Sequence, residues 1–330
     1  MSNESNFLSH HERKRLEYLY SNFHYLNERE QLEYKYLLKK TRMTMIQNIG
    51  KLFYKDYYKD INFKYVLDRT QEGSSDNEKE IARMNSKIKN SSLVRIANSM
   101  ADHHFQERIA YPGLVTGTGI THDSKKLTCG YNLGMHFDYT FGMPNVYGSS
   151  VKGVLRDYFK QARVKKVQSN GSEIISYDDD LLAPIAQRGI DIDELFEDIF
   201  NGRILKKDAA GKLVYVNKSI YKRDIFYDAV IVTAYRDRNR MEHVVDDDSI
   251  TPHKEGPLID PVPITMLKIA PGCVLEFRFH LNDFTSCSGK TFKADEKLTL
   301  FKQILEIVGV GAKTNVGYGQ LEKVKDKNKK

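Results

Sequence analysis

The sequence predicts an α+β protein on a ferredoxin-like βαββαβ plan, with insertions and an N-terminal helical extension. Three observations carry this reading. An alternating stretch over Leu133–Phe141 leads into an amphipathic helix, a second striped helix lies near the C-terminus, and a glycine-rich run joins it to a last strand. Strand, helix, insertion, strand, strand, helix, strand is the order of that plan.

Arg13 to Asn48 is rich in Glu, Lys, Arg, Leu and Tyr without glycine or proline, which favours helix. Tyr18, Tyr25, Tyr34, Tyr36, Tyr54, Tyr57 and Tyr58 stand among Arg29, Lys35, Lys39 and Lys40. Such a mixture stacks on bases or, as tyrosines at helical spacing do, packs as core with one wet end. Gln71–Asn77 reads as a loop and Glu78–Ala110 as further helix. The expected division is therefore an extension over 1–110 and a main domain over 111–330, with a boundary near Tyr111-Pro112-Gly113.

In Leu133–Phe141 the residues Leu133, Met135, Phe137, Tyr139 and Phe141 alternate with Gly134, His136, Asp138 and Thr140. The period of two predicts a half-buried strand ended by Pro144. Ser149 or Ser150 is the expected N-cap of the next helix. That helix buries Val151, Val154, Leu155, Tyr158 and Phe159, while Lys152, Arg156 and Lys160 repeat on another face. Between Glu173 and Asp198, nine acids stand against Arg188 alone, which marks an acidic insertion over 173–200. Its amphipathic segment Asp191–Phe200 turns Leu195, Phe196, Ile199 and Phe200 inward, leaving acids for solvent or a basic neighbour.

Ile225–Val232 is β-branched and aromatic enough for a strand, and Asp228 within it suggests a buried hydrogen-bonding role. Thr265–Leu281 gives two strands or one hairpin broken at Pro271-Gly272. Leu298, Phe301, Leu305 and Val308 mark the buried stripe of the last helix, which runs into Gly309–Gly319 and a strand from Gln320 to Val324. Lys325–Lys330 is a polar, disordered tail by composition.

The loop Gly309-Val310-Gly311-Ala312-Lys313-Thr314-Asn315-Val316-Gly317-Tyr318-Gly319 offers unencumbered backbone N–H groups and one lysine, a combination that suits phosphates. Equally, its glycines serve to turn a helix into a strand. A nucleotide-binding P-loop is excluded because Ala312 precedes Lys313 and the helix comes before the loop. A net charge of +7 favours polyanionic partners. Cys129, Cys273 and Cys287 lack any paired spacing, so no disulfide framework or zinc site is implied and a cytoplasmic setting fits. No apolar run approaches the roughly 20 residues that span a bilayer, and Met1–His11 has no apolar signal core.

With these residues in view, the chain resembles the RAMP superfamily of CRISPR RNA-binding proteins, marked by a C-terminal glycine-rich loop on an RRM-like fold. More narrowly it resembles the RAMP subunit that caps the type III-B (Cmr) effector complex at the 3′ end of its guide RNA. Gly148-Ser149-Ser150-Val151-Lys152-Gly153-Val154-Leu155-Arg156, Ile225-Phe226-Tyr227-Asp228-Ala229, Thr251-Pro252-His253 and Asp260-Pro261-Val262-Pro263-Ile264-Thr265 occur in that order. The resemblance covers about residues 111–325. Lys254-Glu255-Gly256 after His253 departs from it, being shorter and less aromatic.

The resemblance implies a non-catalytic RNA-binding subunit without cofactor or metal. Its implied partners are guide RNA and its duplex with target RNA, the backbone RAMP subunit, the small helical subunit and a second capping RAMP subunit, with no membrane. Ser149, Ser150, Lys152 and Arg156 would meet phosphates at the first helix. Gly309, Gly311, Lys313, Thr314 and Gly317 would form the neighbouring wall, and Asn315 and Tyr318 of the same loop and His136 are further candidate RNA contacts.

Enzyme readings compete with this. His103-His104, His122-Asp123 and Asp246-Asp247-Asp248 offer metal-ligand types, though none has a partner at a defining spacing. The main alternative is a RAMP-type, metal-independent endoribonuclease that processes guide RNA, with His136 as general acid or base and Lys313 stabilising the phosphorane.

Overall fold

The computed structural model describes residues 27–44, 101–116, 135–139, 142–167, 173–177, 179–236, 238, 242–250 and 264–324, with positions 11, 14, 15, 18, 19, 22, 82 and 85. Its centre is a six-stranded antiparallel sheet. The strands and helices used below are β1 (His103–Ile109), β2 (Asn145–Val146), α1 (Gly148–Gln161), β3 (Arg203–Lys207), β4 (Leu213–Asn217), β5 (Ile225–Phe226) and β6 (Ala229–Thr233). They continue with β7 (Val245–Ile250), β8 (Ile264–Ile269), β9 (Val274–His280), α2 (Ala294–Val308) and β10 (Leu321–Lys323). The sheet order is β10-β1-β9-β6-β2, with β5 also on β9. Taking β1, β6, β9 and β10 as the first to fourth strands of the plan gives the 4-1-3-2 order of a ferredoxin-like βαββαβ domain, so the predicted α+β class holds.

The first strand is not the one predicted. His103–Ile109 was read as the end of a helix, yet it pairs with β9 from His103↔Phe279 to Arg108↔Val274 and with β10 at its other edge. Phe105, Glu107 and Ile109 are its buried phase. A glutamate in that phase hides the alternation, and Gln, Glu and Arg raise the helical preference that sheet pairing overrides. The predicted strand Leu133–Phe141 is instead a tight turn where described. Asp138 N–H donates to Met143 O, Gly142 N–H donates to Asp138 O, and Phe137 bridges Pro144. Met135, His136 and Phe137 are all buried, so the alternation does not separate a wet face from a dry one.

The other core elements follow the sequence closely. Val151, Leu155 and Phe159 of α1 and Phe301, Ile304 and Leu305 of α2 share one core with Leu275, Phe277 and Phe279 of β9. Phe301 lies 5.6 Å from both Phe226 and Phe279 by ring centroids, and each fully buried aromatic of this kind contributes about 2–3 kcal/mol. Thr265–Leu281 proves to be two strands in different sheets: β8 pairs with β7 in a ribbon, and β9 is central.

The acidic insertion opens with a strand, Glu173–Tyr177, paired with Arg163–Val167, followed by the short helix Leu182–Gln187 and the predicted helix over Asp191–Phe200, which is divided in two. Ile192–Phe196 continues into a wider turn at Glu197–Asn201, with Leu195, Ile199 and Phe200 inward as predicted. Asp198 is buried against basic neighbours: Lys297 Nζ approaches it at 2.8 Å and Lys218 Nζ at 2.6 Å, while Lys297 also reaches Asp224 at 2.6 Å.

The N-terminal extension contains the helix Glu28–Thr44. Asn85 ties it to the ribbon. Its Oδ1 accepts from Val244 and Val245 N–H at 2.9 and 3.0 Å, and its Nδ2 donates to Val245 O at 2.7 Å. Cys129, His122-Asp123, Gln71–Asn77, Tyr54, Tyr57, Tyr58, Thr251-Pro252-His253, Asp260–Pro263 and the tail lie outside the described residues.

Candidate nucleic-acid interface

Helix α1 starts where two of the sequence motifs meet. An ideal Cβ on Gly148 would stand 2.2 Å from Phe226 O, so only glycine lets the helix start this close to β5. Neither serine is the N-cap. Tyr147 occupies that position without a side-chain bond, and Ser149 and Ser150 lie inside the first turn. The capping acceptor comes from across the sheet: Gly148 N–H donates to Asp228 Oδ1 at 2.8 Å, and Asn145 Nδ2 donates to Asp228 Oδ2 at 3.0 Å. Asp228 thus has the predicted hydrogen-bonding role, but it is exposed rather than buried, in the break between β5 and β6.

Ser149 and Arg156 are exposed and Ser150 and Lys152 half-buried. Lys152 Nζ lies 5.5 Å above the Phe226 ring and Arg156 Cζ lies 5.8 Å from the Phe196 ring centroid. Burial, then the charge of Arg156, lowers the Lys152 ammonium below the ordinary lysine value; Asp224 opposes the fall and Arg223 adds to it. Lys152, Arg156 and Arg223 therefore crowd one cationic patch.

The glycine loop is less open than its sequence suggests. Gly309 closes α2 by donating to Leu305 O, and Val310 N–H donates to Gly319 O at 2.9 Å to form a neck. Ala312 N–H donates to Val115 O, Gly319 N–H to Gly113 O, Val316 N–H to Lys313 O and Gly317 N–H to Thr314 O. Six of the loop amides are thus engaged internally, which corrects the expectation of unencumbered N–H groups. Lys313, Thr314 and Asn315 begin a short 3-10 turn over Thr314–Val316, whose leading amides have no intrahelical acceptor. This tip is what remains to meet an anion. Lys313 is the non-glycine residue with φ in the left-handed region among those described, at 62°. Such a conformation costs about 1–2 kcal/mol and persists where the surroundings hold it.

Tyr318 belongs to the base of the loop. It is 6 % exposed, and its hydroxyl donates to Asp248 Oδ2 at 2.9 Å. Burial, then Asp248, raises its phenol to about 12. Asp248 also accepts from Lys268 Nζ at 2.8 Å. The aspartate triplet is thus part of the β7–β8 ribbon, and Tyr318 is an anchor rather than an RNA contact.

His136 lies between the helix start and the loop. Its backbone N–H donates to Thr116 Oγ1 at 2.9 Å, its carbonyl accepts from Asn145 N–H at 3.2 Å, and its ring stacks on Tyr147 at 4.0 Å. Thr116 follows Val115, which bridges Ala312 of the loop. A continuous run therefore connects α1, His136, Thr116 and the glycine loop. Burial lowers the His136 imidazole below the ordinary histidine value, with Asp228 partly opposing it. Sequence reasoning missed Tyr147, Thr116 and Asn145, whose roles depend on partners far along the chain.

The family model for the RAMP superfamily matches residues 109–322. Among solved structures, the chain is similar to a chain of the type III-B Cmr-beta complex determined by cryo-EM with cognate target RNA. The two are 16% identical over 88% of this chain and 90% of that one, with a TM-score of 0.40. It is also similar to Cmr6 from Pyrococcus furiosus, at 18% identity over 67% of this chain and 98% of that one, with a TM-score of 0.36. No curated protein sequence matches it.

Proposed function

The chain belongs to the RAMP superfamily, and from that premise we propose that it is a non-catalytic RNA-binding subunit of a type III-B CRISPR effector complex, capping the backbone filament near the 3′ end of the guide RNA. The four-motif resemblance supports the narrower assignment. The observation that carries RNA binding is the run of contacts from the start of α1 through His136 and Thr116 to the glycine loop. It joins Lys152 and Arg156 at one end to Lys313 at the other, two sets of cations on one support. Phosphate contacts position RNA without reading its bases, so little sequence preference is expected.

Asp228 modifies this reading. The helix start already holds a carboxylate, so the phosphate-contacting groups are the exposed Ser149 in the first turn, the half-buried Lys152 and the exposed Arg156 farther along the helix, rather than the terminal amide. The non-catalytic role is supported by His136, which is 7 % exposed with its ring stacked on Tyr147.

Titration of the purified protein with labelled single-stranded RNA across a salt series tests the reading. Lys152→Ala, Arg156→Ala and Lys313→Ala should each reduce the slope of log affinity against log salt by up to about 0.7. Unchanged slopes in all three would refute the phosphate contacts. Defined cleavage of repeat RNA in EDTA, abolished by His136→Ala, would establish the endoribonuclease alternative.

A further inference from the structure

The hairpin β3–β4 and the turn behind it carry a charge that the site above does not use. Residues 203–223 contain seven lysines and arginines and a single acid, Asp208. At the hairpin root Arg203 pairs with Glu197 at 2.8 Å and Lys218 with Asp198 at 2.6 Å, which fixes the hairpin to the acidic insertion. Lys206, Lys207, Lys212 and Lys222 are exposed and have no carboxylate partner among the described residues. One aromatic stands among them, Tyr221, which is 83 % exposed; Tyr215, 42 % exposed with Arg203 Cζ 5.9 Å from its ring centroid, instead faces the acidic insertion, where burial, then Asp191, Glu197, Glu194 and Asp193, raise its phenol to about 12.

This surface adjoins α1. Arg223, at the end of the segment, donates from Nε to Lys218 O and contributes to the charge crowded around Lys152. Lys152 in turn lies over Phe226, three residues beyond Arg223. Exposed lysines on either side of an exposed tyrosine, Tyr221, suit a strand that offers phosphates and a stackable base. Scattered exposed aliphatics such as Leu213 and Val216 are ordinary surface and do not by themselves call for a protein partner.

We propose that residues 203–223 form a second, sequence-independent contact for single-stranded RNA, continuing the track from Lys152 and Arg156 through Arg223 to the hairpin. The proposal rests on the RNA-binding reading of α1. The lysines neutralise phosphates and Tyr221 stacks on a base, so the contact lengthens the RNA footprint rather than adding sequence recognition.

Anisotropy titrations of the full chain with oligouridylates of about 6 and about 20 nucleotides, across a salt series, test it. The quadruple variant Lys206→Gln, Lys207→Gln, Lys212→Gln, Lys222→Gln should lower the salt slope on the longer RNA by up to about 0.7 per lysine and change the shorter one far less. Tyr221→Ala, at a site too exposed to disturb folding, should weaken the longer RNA at least about five-fold with its slope unchanged. If both variants match wild type while Lys152→Ala with Arg156→Ala loses slope, the hairpin contact is overturned and the α1 reading stands. Absence of salt-dependent binding by the wild type overturns both. Full RNA binding by the quadruple variant, with loss of co-purification with co-expressed complex subunits, would make the hairpin a protein interface and overturn the proposal.

Discussion

Asp228 accepts the Gly148 amide at 2.8 Å, so helix α1 is capped by a residue eighty positions later in the chain. A carboxylate at a helix start satisfies an orphan donor and opposes the helix dipole favourably. Asp228→Ala should therefore lower stability by about 1–2 kcal/mol in urea denaturation, and Asp228→Asn, which keeps an acceptor, by less. Because the native carboxylate repels phosphate, Asp228→Asn should also bind RNA more tightly at low salt. Equal or weaker binding would place the RNA away from the start of α1.

The glycine loop gives a contrast between two alanine substitutions. An ideal Cβ on Gly319, at φ 70°, would lie 1.9 Å from Val310 O, whereas on Gly317, at φ 97°, its nearest neighbour is Pro112 Cδ at 3.6 Å. Gly319→Ala must open the neck of the loop and should cost about 3 kcal/mol or more, against about 1–2 kcal/mol for Gly317→Ala. Denaturation midpoints of the two variants compare them directly, and equal losses would contradict the neck.

Lys297 is fully buried between Asp198 and Asp224. Removing the shared cation leaves two carboxylates in the core, so Lys297→Ala should destabilise by about 3–5 kcal/mol. Adding Asp198→Asn and Asp224→Asn to it should restore part of that loss, a recovery readable in the same denaturation series.

Burial lowers the folded-state pKa of His136. The folded protein then binds fewer protons than the unfolded chain as pH falls through the ordinary histidine value, so this stability is present above about pH 6.5 and lost on acidification. Melting temperatures between pH 7.5 and 5 should fall less steeply in His136→Phe than in wild type. Parallel curves would show that His136 ionises freely.

The legible parts of the fold were those written in local pattern. The stripe of Val151, Leu155 and Phe159 announced α1, and Phe301 and Leu305 announced α2, because one face of each meets the same core. His103–Ile109 was illegible because Glu107 occupies an apolar phase beside Lys302, whose Nζ lies 2.9 Å from Glu107 Oε1. At the candidate site, Lys152, Arg156 and Lys313 could be read directly as cations near a helix start and a turn. That Tyr318 is an anchor could not, since Asp248 lies seventy residues away.

The sequence alone determined the α+β class, the two core helices, the basic balance and the family-like glycine run, all properties of composition or of periods a few residues long. Tertiary structure decided which segment became the first strand, which acceptor capped α1 and how many loop amides stayed available. Those outcomes depend on hydrogen bonds between residues far apart in the chain, where a group's partner, and not its neighbours in sequence, fixes what it can still bind.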